Sequence, residues 1–68
     1  MMKARELREL SLGELDQRER ELKRALFNLR FQRATGELDN TAELGKTRRE
    51  IARVLTVAAE KQAREAAR

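Results

Sequence analysis

The chain has 68 residues, enough for one small domain that leaves a large share of its surface in water. It contains no cysteine and no histidine, which excludes disulfides, thiolate metal sites, and the commonest general base and zinc ligand. Charged residues make up 41% and aromatic residues 3%, with a net charge of +4. No apolar run approaches the roughly 20 residues needed to cross a bilayer. The sequence therefore reads as a soluble, intracellular, helical chain that leans on a partner.

Proline is absent and helix formers dominate. The first segment, about residues 3–10, predicts one or two helical turns. Ser11-Leu12-Gly13-Glu14 then has the form of a capping box, in which Ser11 accepts from a first-turn N–H while Glu14 reaches back. Leu10 and Leu15 are spaced for the accompanying hydrophobic staple. The helix that begins there is expected over about 12–35, because Gly36 is placed to take the left-handed conformation that ends helices. Residues 36–39 make a tight turn. Asn40-Thr41-Ala42-Glu43 offers a second cap, so a second helix is expected over about 40–62. Gly45 loosens its first turn. From Ala58 onward no large apolar residue occurs, and the tail is expected to fray towards residue 68.

At about 100° per residue, Leu15, Leu22, Leu26 and Leu29 share a stripe, with Ala25 at its edge. Leu44, Ile51, Leu55 and Ala58 share another, with Val54 and Thr47 beside it. Facing stripes of this spacing predict an all-α fold over residues 1–68: an antiparallel two-helix hairpin (a long α-hairpin) preceded by a short N-terminal helix. Antiparallel docking would put Leu29 near Leu44, Leu22 near Ile51, and Leu15 near Ala58.

The positive charge is concentrated. Residues 20–33 hold Arg20, Lys23, Arg24, Arg30 and Arg33 against Glu21 alone, and residues 46–53 hold Lys46, Arg48, Arg49 and Arg53 against Glu50 alone. Two such stretches suit a polyanion. The only aromatic residues, Phe27 and Phe31, fall off the leucine stripe, on the side of Arg20 and Arg24 and with Lys23 flanking. Lys46, Arg49 and Arg53 form one ridge on the second helix. Arginine forks suit phosphates, and Asn28 and Gln32 are placed to meet 2′-hydroxyls or base edges. The candidate RNA-binding residues are thus Arg20, Lys23, Arg24, Phe27, Asn28, Arg30, Phe31, Lys46, Arg48, Arg49 and Arg53.

Plainer readings stand beside this one. A basic ridge is often only a solvated face, and Leu7 and Leu10 of the first segment could cover both rings. A different class of function is a coiled-coil module that self-associates into a four-helix bundle dimer without RNA. Matching stripes on two capped helices argue for mutual packing and against a helix lying on a membrane. Glu19 and Glu21, like Glu14 and Asp16, lie on different helix faces and form no acid–base pair. With no glycine-rich phosphate loop, metal cluster or nucleophile–base combination, no enzyme activity, cofactor or small-molecule substrate is expected.

Several blocks together resemble a known family. They are Met2-Lys3-Ala4-Arg5-Glu6-Leu7-Arg8, Leu26-Phe27-Asn28-Leu29-Arg30-Phe31-Gln32, Ala34-Thr35-Gly36-Glu37-Leu38, Asn40-Thr41, and Arg48-Arg49-Glu50-Ile51-Ala52-Arg53-Val54. In order and spacing, over residues 2–57, they resemble the bacterial family of ribosomal large-subunit protein twenty-nine. The resemblance implies a helical hairpin bound to large-subunit ribosomal RNA near the nascent-chain exit tunnel, on cytoplasmic ribosomes. It also implies ribosomal protein twenty-three as a neighbour, with trigger factor and the signal recognition particle docking close by. The family signature falls on Asn40 to Val54, where Arg48, Arg49 and Arg53 match, and the phenylalanine–arginine block falls on Phe27, Arg30 and Phe31. Gly45 and Thr47 depart from it, standing where a long basic and an aliphatic residue are more usual.

Overall fold

The computed structural model describes residues 2–67. Three helices follow one another: α1 (Ala4–Leu7), α2 (Leu12–Ala34) and α3 (Ala42–Ala66). α2 and α3 pack antiparallel along their length and α1 folds back on α3, giving a rod of 50 × 17 × 13 Å. This is the expected all-α hairpin with a short leading helix. No helix among the described residues is long and apolar enough to cross a membrane.

α2 starts where its own side chains place it. Ser11 stays extended at φ −71° and ψ 165°, and its Oγ accepts from the Glu14 N–H at 3.1 Å. Glu14 Oε1 accepts in turn from the Ser11 N–H at 3.0 Å, so two orphan donors are satisfied reciprocally. The Ser11 backbone N–H, and next the Ser11 hydroxyl, hold the Glu14 carboxyl below the ordinary glutamate range.

The same extended Ser11 cuts the leading helix short. α1 spans only Ala4–Leu7 instead of 3–10, and beyond it the chain tightens into i→i+3 bonds. Glu9 N–H donates to the Glu6 carbonyl at 3.2 Å and Leu10 N–H to the Leu7 carbonyl at 3.1 Å.

α2 ends at Gly36, whose φ is +79°. Its N–H donates to the Arg33 carbonyl at 3.2 Å and that of Glu37 to the Gln32 carbonyl at 2.8 Å. That pair of bonds is the Schellman motif, and it needs a residue that tolerates the left-handed region. At the start of α3, Asn40 Oδ1 accepts from the Ala42 N–H at 2.9 Å. Glu43 does not complete a box there; its carboxylate lies 3.7 Å from Lys46 Nζ.

The core differs from the expected pair of stripes. Leu15, Leu22 and Leu26 are buried on α2, but Leu29 is half-buried and Ala25 exposed. On α3 the buried apolar residues are Leu44, Val54 and Val57, while Ile51 and Ala58 are half-buried and Leu55 is 45% exposed. The cause is Leu7, which is fully buried against Leu15, Leu22, Val54 and Val57. Burying such a side chain contributes about 1.5–3 kcal/mol. To receive it, α3 turns a wider arc inward than a two-helix count predicts. Ile51 and Ala58 still pack against the cluster that contains Leu15 and Leu22.

The C-terminal part is also more tied than expected. α3 continues to Ala66, past the expected end near residue 62. Lys61 Nζ donates to the Leu10 carbonyl at 2.5 Å and to the Arg8 carbonyl at 3.4 Å, and Glu60 lies 3.5 Å from Arg8 Nε. These bonds fasten α3 to the segment between α1 and α2. Arg68, the last residue of the tail, lies outside the described residues.

Candidate nucleic-acid interface

The outer edge of α2 carries both rings. Phe27 is 68% exposed and Phe31 62%, and the Lys3–Leu10 segment does not cover them because Leu7 is committed to the core. Arg20, Arg24, Phe27 and Phe31 fall within about 60° of one another around the helix. Arg20 pairs with Asp16 at 3.0 Å and Lys23 with Glu19 at 2.7 Å, each one turn apart. Such exposed pairs contribute little and exchange readily for a phosphate. Arg24 and Arg30 have no carboxylate within 4.0 Å among the described residues. Asn28 is exposed, whereas Gln32 is half-buried.

On α3 the basic residues fall on two sides. Lys46, Arg49 and Arg53 keep to one ridge, of which Arg49 and Arg53 line a groove with α1, and Arg48 lies about 140° around the helix from Arg53, on the side of Leu55. Arg48 and Arg49 are exposed. Arg53 is half-buried, and its Nη1 donates to the Met2 carbonyl at 2.9 Å, so part of its guanidinium serves the fold. Gly45 has a local reason. A Cβ there would stand 3.3 Å from Arg49 Nη1, so the glycine lets that guanidinium lie back along the helix.

Beneath this surface is a polar seam that the pattern reading missed. Glu50 is only 4% exposed. Its Oε2 accepts from Arg18 Nη2 at 2.6 Å and its Oε1 from the Met2 N–H at 3.2 Å. Arg18 Nε is buried without a hydrogen-bond partner. The available signal was position, because Glu50 lies four residues before Val54 and seven before Val57, on the same arc. Among the described residues, no acidic cluster could hold a metal ion.

The family profile described as ribosomal L29 protein matches residues 5–61. The chain belongs to the ribosomal L29 protein family. The L29 profile spans most of α1, all of α2, and α3 as far as the Lys61 tie. The large ribosomal subunit protein uL29 of Leuconostoc citreum is 61% identical over 57 residues, 84% of each chain. That of Rubrobacter xylanophilus is 57% identical over 61 residues, 90% of this chain and 91% of its own. That of Syntrophotalea carbinolica is 56% identical over 61 residues, covering 90% and 98%. L29 is a family of ribosomal structural proteins, not of enzymes.

Proposed function

We propose that this chain is a structural constituent of the large ribosomal subunit that binds large-subunit ribosomal RNA near the nascent-chain exit tunnel and supports translation in the cytoplasm. Its family supports the place in the large subunit, which the relatives carry in their names. One observation carries the RNA reading: two exposed phenylalanine rings stand among arginines on a fold whose core is complete without them.

The chemistry follows from that surface. Arg24, Arg30, Arg48 and Arg49 offer planar forks to phosphates, and neutralising phosphates releases counterions. Phe27 and Phe31 stack on unpaired bases or fill an apolar recess. Recognition is by shape, because side chains cannot read the deep, narrow major groove of A-form RNA. Ribosomal protein twenty-three is the proposed protein neighbour, with trigger factor and the signal recognition particle as factors that dock nearby.

The test is the double substitution Phe27→Ala/Phe31→Ala. Its unfolding free energy should stay within about 0.5 kcal/mol of the parent, as for exposed sites. Its association with large-subunit ribosomal RNA should weaken by about 1–3 kcal/mol per stacked ring. Unchanged RNA affinity would remove the rings from the interface. A stable dimer of the RNA-free chain in sedimentation, with both rings protected, would move them to a self-association surface.

A further inference from the structure

α1 and α3 meet along an open groove of about 370 Å³, lined by the small residues Ala4, Ala52 and Thr56 and by Arg8, Arg49, Arg53 and Glu60. Arg49 also lines the adjoining groove between α2 and α3, where Lys46 sits. Four cations therefore follow one another: Lys46, Arg49 and Arg53 on α3, then Arg8 beyond α1. With 1.5 Å of rise per residue, the track from Lys46 to the level of Glu60 is about 21 Å long.

The carboxylates facing this track are accounted for. Glu43 is 3.7 Å from Lys46 and Glu60 is 3.5 Å from Arg8, both as exposed surface pairs. Glu50 lies buried beneath, bonded to Arg18 and the Met2 N–H. Arg53 gives Nη1 to the Met2 carbonyl, and a guanidinium has five N–H donors, so this bond does not exhaust the group that lines the groove. The small side chains that line the groove let a ligand backbone approach closely.

We propose that the N-terminal segment is part of the RNA-binding surface. With α3 it forms a groove in which Arg8, Arg49 and Arg53 hold the sugar–phosphate backbone of folded RNA. Charge complementarity selects this occupant, since three arginine forks line the groove against one exposed carboxylate. The inference rests on the RNA reading above and extends it to Arg8, a residue outside both basic stretches. The segment is held over α3 by the bonds to Met2, by Lys61 and by the buried Leu7, so the groove exists only while α1 is docked.

The experiment measures affinity of the full chain for protein-free large-subunit ribosomal RNA as a function of salt. Arg8→Gln should weaken binding and reduce the magnitude of the log–log salt slope by about 0.7–0.9, the value of one lost phosphate contact. Glu60→Gln removes the carboxylate and releases Arg8, so it should tighten binding. Arg64→Gln, which changes net charge equally outside the groove, should move the slope less. An Arg8→Gln variant that binds like the parent, or that merely matches Arg64→Gln, overturns the groove; a protein partner there would give the first result. Arg24→Gln separates this failure from that of the RNA reading. If it weakens binding while Arg8→Gln does not, only the groove is lost; if neither does, both are lost.

Discussion

At the end of the rod where the first and last helices meet, three elements share one core. Leu7, Leu15 and Val54 are fully buried there, and Arg8, Leu10, Glu60 and Lys61 tie the segments from outside. At the turn end only two helices face each other. Leu29 and Leu38 are half-buried there, and Phe27 and Phe31 stand in solvent on the outer edge of α2. The contrast teaches a division of labour. A third element seals one end, while the two-helix end buries Leu26 and Leu44 and leaves both phenylalanine rings in solvent.

The largest expected effect tests the sealed end. Leu7→Ala should cost about 2–5 kcal/mol in denaturant unfolding, since it opens a cavity among side chains with no solvent access. Leu26→Ala at the two-helix end should fall at or below the bottom of that range, because the site can relax. Equal costs would show that the two ends are sealed alike. Next is Gly36→Ala. Nothing lies within 4 Å of the added Cβ, so the cost is the left-handed backbone alone, about 1–2 kcal/mol. A cost near zero would mean that the turn end has room to rearrange.

The smallest effect is a pH dependence at the α2 cap. The Glu14 carboxyl is lowered by its bonds from Ser11, so its contribution is complete above the unfolded-state pKa. That contribution is lost as pH falls through the depressed folded value, below the ordinary glutamate range. Helicity followed by circular dichroism should therefore drop in that acid window, and Glu14→Ala should flatten the drop. A variant that titrates like the parent would assign the change to other carboxylates.

Local chemistry was legible in the sequence. Ser11 and Glu14 cap and Gly36 stops, each through atoms within a few residues, whereas the N-cap of α3 falls on Thr41 and not on the expected Asn40, which bonds only the Ala42 N–H. The hairpin followed from leucine spacing on two capped helices. The inward arc of α3 was not legible, because it depends on Leu7 arriving from about 50 residues away. Taken alone, Ile51, Leu55 and Ala58 make as good a stripe as Val54 and Val57. Glu50 was hidden by its charge, since a glutamate between Arg49 and Ile51 ordinarily reads as solvated. Of the site, the exposure of both rings was foreseen, whereas the partial burial of Arg53 and the place of Arg8 depend on where the N-terminal segment docks.

The ties of that segment carry a consequence for the order of events at synthesis. Met2 bonds to Glu50 and Arg53, and the Arg8 and Leu10 carbonyls bond to Lys61, so the polar partners of the first ten residues are the last third of the chain. A chain is made from its N-terminus, and distant contacts wait on loop closure. Residues 2–10, made before either long helix, are thus among the last to find their places. α2 can coil as soon as it is free, α3 can fold back on it across the Gly36 turn, and only then does a seat for Leu7 exist.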